Sequence, residues 1–262
     1  MGLFCSDPST TFLRTLGFNT VRLPSASFRP FVLIGRQNRE TQQLGLLSSL
    51  ITSAPGPLPA ITADVPAANI SGKKTAKMDV SIGANILGTL VGAMGGNVGV
   101  NIGYTDARKV EFTYKDVTLD SAMPLDIGTY LRDGKVDAGN LILQQYVLGN
   151  GELFVVTQVA KSRAFTVRYE RTNGTDAAID VPALQALAGA KVKVGLVQGA
   201  SSTVEFEGAA QLGFAFQCFE VGVVDGILSL TTVRAGAIAA AVGAPDTKPT
   251  VLQPEGLLNV RM

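Results

Sequence analysis

The chain has 262 residues, 46% of them apolar and 16% charged, enough for one or two domains with a sizeable core. Its 22 Lys plus Arg against 21 Asp plus Glu leave a formal charge of +1, which supplies no global field to hold nucleic acid by counterion release. Histidine is absent, which excludes imidazole mechanisms and His-ligated metals, and two cysteines, Cys5 and Cys218, make neither a thiolate zinc site nor a disulfide framework.

At the amino terminus, Met-Gly-Leu-Phe-Cys-Ser runs straight into Asp7-Pro8 without the long apolar core of a secretory signal, so the chain is expected in the cytoplasm. Asp7 as cap, Pro8 at the first helical position, Phe12, Leu13 and Leu16 on one face and Gly17 as stop predict a short helix. Cys5 therefore stands just ahead of a helix. It reads either as a small buried hydrophobe or as a lipidation site, since Gly2 and Ser6 fit the myristoylation pattern and a nearby Cys is the usual second anchor. Phe31 to Ile34 predicts a buried strand, and Glu40 to Ile51 a helix burying Leu44, Leu47 and Ile51. Pro55-Gly-Pro-Leu-Pro59 follows as an extended loop. Over residues 1–77, eight basic side chains stand against three acidic ones, a surplus of +5 hidden by the neutral total. Such a surplus is either an ordinary solvated face or a surface for anionic lipid.

Between Asp79 and Asp106 no residue is charged. Ile86, Leu87, Leu90, Val91 and Met94 recur at helical spacing, with Ala84, Gly88 and Gly92 as a small-residue ridge. Each glycine costs such a helix about 1 kcal/mol relative to alanine, so it is held poorly by its own propensity. It reads as a core helix packed through its glycines or as a segment able to change state. From Asn97 the period becomes two: Val98, Val100, Ile102 and Tyr104 share one face, and after a turn Val110, Phe112 and Tyr114 alternate with charged residues, predicting a hairpin. This alternation is also that of a membrane barrel wall.

A second hairpin is predicted from Leu153, Val155 and Val159 through a polar turn at Lys161-Ser-Arg163 to Phe165, Val167 and Tyr169. Asp180 caps a helix from Pro182 to Gly189, Val192 to Leu196 and Val204 to Phe206 form a strand pair, and Asp225-Gly226 closes a tight hairpin. The Ala-rich run 235–242 predicts a helix, 243–250 an exposed linker, and Val251, Leu252, Leu257, Leu258 and Val260 an apolar tail that should dock. No Gly-rich stretch has P-loop or dinucleotide spacing, and no catalytic constellation emerges.

The opening Met-Gly-Leu-Phe-Cys-Ser-Asp-Pro, the following Phe18-Asn-Thr-Val-Arg-Leu-Pro24, the Gly-rich stretch at 83–103 with its hairpin, and the apolar tail after a linker resemble the bacterial gasdermins. That resemblance covers essentially the whole chain and implies an α+β fold: a twisted, mainly antiparallel β-sheet with surrounding helices and a short carboxy-terminal inhibitory peptide. It implies a pore-forming domain over 1–246, a cleavable linker over 243–250 and an autoinhibitory peptide over 251–262. No enzyme, metal or cofactor is expected beyond a palmitoyl group on Cys5. The expected partners are an activating, caspase-like protease that would favour Asp246 in the Asp246, Thr247, Lys248 region, and membrane lipid. The resting protein would be a cytoplasmic monomer, and the activated one a homo-oligomer in the inner membrane that kills the phage-infected cell. Val98, Val100, Ile102, Tyr104, Val110, Phe112, Phe165 and Val167 would line the membrane hairpins. The alternative from residue patterns alone is a cytoplasmic binding or scaffold protein whose Gly-rich helix is ordinary core.

Overall fold

The computed structural model describes residues 8–75, 77–96, 107–136, 139–171, 173–175, 177, 179–224, 227–231, 249–253 and 257–262. In chain order the elements are α1 (Pro8–Thr15), β1 (Asn19–Ser25), β2 (Val32–Gln37), β3 (Glu40–Leu46), β4 (Ile51–Ser53), β5 (Ile61–Pro66), β6 (Met78–Asp79), α2 (Val80–Ala93), β7 (Lys109–Lys115) and β8 (Thr118–Ala122). They continue with α3 (Pro124–Asp133), β9 (Lys135–Val136), β10 (Glu152–Glu170), α4 (Val181–Ala188), β11 (Val192–Val197), β12 (Ala200–Val224), β13 (Ile227–Thr231) and β14 (Val260–Arg261). This is the expected α+β class, with nearly all strand pairs antiparallel.

Two long strands organise the sheet. β10 and β12 pair antiparallel from Leu153↔Val221 to Arg168↔Thr203, and shorter strands line their outer edges. Along β10 run β2, β8 and β7 in succession, and along β12 run β13, β1 and β11. Between Ser162↔Leu212 and Ala164↔Glu207 two residues of β10 advance while five of β12 pass, a large bulge that bends the strands and divides the sheet into two halves.

The Lys161-Ser-Arg163 segment is therefore not a turn: β10 runs straight through it as one strand of 19 residues. Its polarity is satisfied inside the sheet. Ser162 Oγ has the carbonyl oxygens of Lys115 and Ala164 within reach of its one proton and accepts from Ala164 N–H at 3.0 Å. Lys161 Nζ lies 2.8 Å from Asp120 and 3.0 Å from Asp64. Burial alone would push Lys161 down, but hydrogen bonds to Asp120 and Asp64 raise it above its ordinary value and hold Asp64 below its own. A polar triplet marks a turn only when the sheet offers it no partners.

The helix expected over Glu40 to Ile51 is also corrected. Glu40–Leu46 is strand β3, followed by a short 3-10 turn at Leu47–Leu50 and by β4. Asn38 and Arg39 both have positive φ, 51° and 67°, so they make a tight hairpin turn of the kind that matches strand twist. The turn carries no glycine, the usual sequence sign of such a hairpin. Pairing of β3 with β2 on one side and β14 on the other decides the conformation over local propensity.

Other elements follow their sequence signals. α1 begins at Pro8 and ends before Gly17, whose φ of 80° suits glycine. Asp180 Oδ1 accepts from Ala183 N–H at 3.1 Å to cap α4. β12 and β13 pair as far as Val224↔Ile227, as the Asp-Gly signal required. The 97–106 strand and turn and the 235–242 helix lie outside the described residues.

α2 buries Ile86, Leu87, Leu90, Val91 and Met94, the face its spacing marked. At Gly88 of the small-residue ridge the contact is open: among the described residues nothing lies within 4 Å of where its Cβ would stand. The helix is seated instead through Gly83 against Val110, Met94 against Gly208 of β12, and Gly96 against the carbonyl of Ala188.

Candidate functional site

One half of the sheet is a barrel, and the carboxy-terminal segment closes it. Strands β1, β12, β10, β2 and β3 are consecutive neighbours. The tail then pairs with β3 at Val260↔Thr41 and Arg261↔Gln42, and with β1 at Val21↔Leu258. Leu258 N–H donates to Thr20 O and Arg22 N–H to Leu258 O, both at 2.8 Å. The tail is thus the sixth stave, parallel to both neighbours where all others are antiparallel.

Alternate residues of these staves fill the interior. Val21, Val32, Ile34, Phe154, Val156, Phe216 and Cys218 pack in one cluster with Leu252, Leu258 and Val260 of the tail. All three tail residues are buried, whereas Val251 and Leu257 are half-buried. Fully burying such side chains contributes roughly 1.5–3 kcal/mol each, so three of them outweigh the exposed Arg261–Glu40 ion pair at the tip, a kind of contact worth about 0–1 kcal/mol.

The root of the tail is held by polar groups. Asn19, at 3% exposure, donates from Nδ2 to Thr250 O at 2.8 Å and accepts at Oδ1 from Leu252 N–H at 2.6 Å. Thr250 N–H donates to Cys218 O at 2.8 Å, and the Cys218 thiol lies 3.6 Å from Thr250 O. Burial pushes the Cys218 thiol far above its ordinary value. Arg36 Nη1 donates to Leu252 O at 2.9 Å while its Nε and Nη2 bind both oxygens of Glu152 at 2.6 and 2.8 Å. That hydrogen-bonded carboxylate raises the guanidinium's pKa, against the opposing effect of burial.

Of the linker expected over 243–250, Asp246, Thr247 and Lys248 lie outside the described residues. Pro249 and Thr250 are half-buried rather than exposed, because they belong to this root. Cys5 also lies outside. Neither Asn19 nor Arg36 was singled out in the sequence, although Asn19 shares its inward parity on β1 with buried Val21, a signal for an internally bonded polar group.

The second feature is the other half of the sheet. Val110 and Phe112 of β7 and Phe165 and Val167 of β10 are all buried, facing the same side as Val204 and Phe206 of β12. Phe165 stacks on Phe206 with ring centroids 5.2 Å apart. α2 and α4, through Leu184 and Ala188, cover this face. Four of the eight expected hairpin residues are thus brought together beneath two short helices, while Val98, Val100, Ile102 and Tyr104 lie outside the described residues. No described helix is long and apolar enough to cross a membrane. The basic surplus of the amino-terminal part is partly neutralised, since Arg36 pairs with Glu152, Lys74 with Glu111 and Lys77 with Glu170.

The described residues thus form a β-body closed by its carboxy-terminal strand, with an apolar sheet face packed under α2 and α4. Residues 21–260 match the Bacterial Gasdermin Family. Gasdermin bGSDM of Vitiosangium sp. (strain GDMCC 1.1324) is 44% identical over 99% of both chains. Gasdermin bGSDM of Lysobacter enzymogenes is 31% identical over 92% of this chain and 90% of its own. The solved structure of a bacterial gasdermin from Bradyrhizobium tropiciagri shares the fold, with a TM-score of 0.68 over 98% of this chain and 97% of that one at 14% identity. The chain belongs to the bacterial gasdermin family, whose members are pore-forming proteins.

Proposed function

We propose that this protein is the autoinhibited precursor of a β-lined membrane pore, and that proteolytic removal of its carboxy-terminal peptide starts the conversion. The observation that carries this reading is the closing stave: β10 and β12 run through both the barrel and the apolar wing, so the strand that locks one half restrains the other. When the tail leaves, two strand edges and the inner face of the barrel are uncovered. Unpaired edges are templates for pairing with another chain. In hydrocarbon, strands persist only if closed pairing satisfies every backbone group, which requires many copies in a ring. The resting monomer would thereby become a homo-oligomer inserted in lipid.

Val110, Phe112, Phe165 and Val167 would then exchange the cover of α2 and α4 for acyl chains, and Val98, Val100, Ile102 and Tyr104 would join them in the lipid-facing wall. The glycines of α2 make that helix cheap to unfold. On this reading the scissile bond lies in 243–250, where Asp246 suits a caspase-like protease and Lys248, followed by Pro249, is a poor trypsin-like site. The site of action is the inner membrane, reached from the cytoplasm, and the outcome is death of the phage-infected cell. Leakage of dye from anionic vesicles before and after limited proteolysis tests the proposal. A cut protein that stays folded and leaves vesicles intact would overturn it.

Cys5 would carry a palmitoyl thioester. One acyl chain binds membranes only marginally, so its role is to stabilise the resting body or aid insertion rather than to anchor. Intact mass of protein from its native host should exceed the chain mass by one palmitoyl group and return to it after hydroxylamine. An unmodified mass in both samples would sink the assignment.

A further inference from the structure

We propose that Asn19 is the positioning residue that latches the root of the carboxy-terminal strand, its side-chain amide standing in for a neighbouring peptide unit. This rests on the reading of the tail as an off-switch and names the residue that latches it.

A residue of a β-strand presents one acceptor and one donor to its neighbour. At the root of the tail Thr250 N–H bonds to Cys218 O of β12, but among the described residues no strand backbone supplies partners for Thr250 O and Leu252 N–H. Asn19 supplies both, with Oδ1 toward Leu252 N–H and Nδ2 toward Thr250 O. Thr250 O and Leu252 N–H are one acceptor and one donor at fixed identity, so only one orientation of the amide satisfies them. Nδ2 also lies 3.7 Å from the Cys218 sulfur. Pro249, just before, packs where a Cβ on Gly17 would stand, 2.9 Å from its Cγ. Arg36 completes the set by binding Leu252 O, the next carbonyl along.

The bonds that Asn19, Cys218 and Arg36 make to the root are thus all made to the tail's backbone. The slot reads chain direction and spacing there and reads side chains only at Leu252, Leu258 and Val260. A one-residue slip would turn these three away from the barrel interior, since side chains alternate with period two. Leu252, Leu258 and Val260 therefore fix the register, and Asn19 latches the tail in it by bonding Thr250 O and Leu252 N–H.

The test uses the full-length chain with Cys5→Ser, so that Cys218 is the sole thiol. Cys218 is fully buried against the tail root and reports its release. Two variants are compared with the parent, Asn19→Ala and Asn19→Asp. The introduced carboxylate keeps the bond to Leu252 N–H but turns an acceptor toward Thr250 O. Its protonated form donates to that oxygen and restores both bonds. The other ionisable groups here are Cys218 itself, Glu220 on β12, Arg36 on β2 and Glu152 on β10. They are common to all three proteins, so rates are read as ratios to the parent at each pH.

With dithiodipyridine as the thiol probe, Asn19→Asp should label Cys218 about tenfold faster than the parent at about pH 8 and approach a ratio of one near about pH 5. Asn19→Ala should label faster at both. Hydrogen exchange at Leu252 and Leu258 should rise while Phe154 and Phe216 in the central ladder stay protected. Parent-like labelling in Asn19→Asp, a ratio that does not fall with pH, or equal loss of protection in the central ladder would overturn the proposal. Vesicle leakage after proteolysis, read on the same samples, separates the two claims. Expected labelling with no leakage from the cut parent would refute the pore reading alone, and leakage with parent-like labelling would refute the latch alone.

Discussion

Deleting residues 247–262 should turn expression of the protein from harmless to toxic and convert the purified body from inert to one that empties vesicles. The docked tail buries Leu252, Leu258 and Val260. It also pairs the edges of β1 and β3 and satisfies Asn19 and one arm of Arg36. Buried apolar area of this size is worth several kcal/mol, and the two bonds of Asn19 to the tail add roughly 0.5–1.5 kcal/mol each. Covalent attachment adds to this by keeping the tail at an effective concentration on the order of millimolar. Proteolysis removes that last advantage and deletion removes all three. Colony counts after induced expression, together with dye release, measure the effect. A truncated protein that is folded, soluble and without action on membranes would end the autoinhibition account.

The second large effect concerns the seating of α2. A Cβ on Gly83 would stand 2.0 Å from Val110 Cγ2. Val110 has little room to retreat: it is buried, its strand is paired to Met78 on one side and Tyr169 on the other, and its β-branched side chain is restricted at χ1. In Gly83→Ala the helix must lift. Overpacking of this kind costs about 1–3 kcal/mol, exceeding the gain of up to about 1 kcal/mol in helix propensity. Gly88→Ala adds the same methyl where the described residues leave space, so propensity alone acts and the helix is stabilised. The two substitutions, five residues apart on one helix, should therefore move the melting temperature in opposite directions. Gly83→Ala should lower it by several degrees, and should speed leakage after cleavage, whereas Gly88→Ala should slow it. Shifts of the same sign in both variants would show that α2 is not seated through Gly83.

The sequence by itself determined the local elements whose signals are short in range. The α1 start at Pro8 and stop at Gly17, the Asp180 cap, the apolar face of α2, the alternation of β7 and the β12–β13 hairpin all depend on residues within a few positions of one another. It also determined that 251–262 is apolar enough to dock. Only the tertiary structure decided where. The β1 and β3 edges that the tail joins are more than 200 residues away from it in the chain, and no periodicity encodes a pairing across that distance. The same applies to Lys161-Ser-Arg163, whose polarity means a turn in isolation and a satisfied bulge beside Asp64, Asp120 and Lys115. Glu40–Leu46 became strand because partners lay on both of its sides. Asn19 shows the division most sharply: its parity on the strand is local, but its function exists only where the last strand arrives, because a buried amide takes its meaning from the peptide groups that satisfy it.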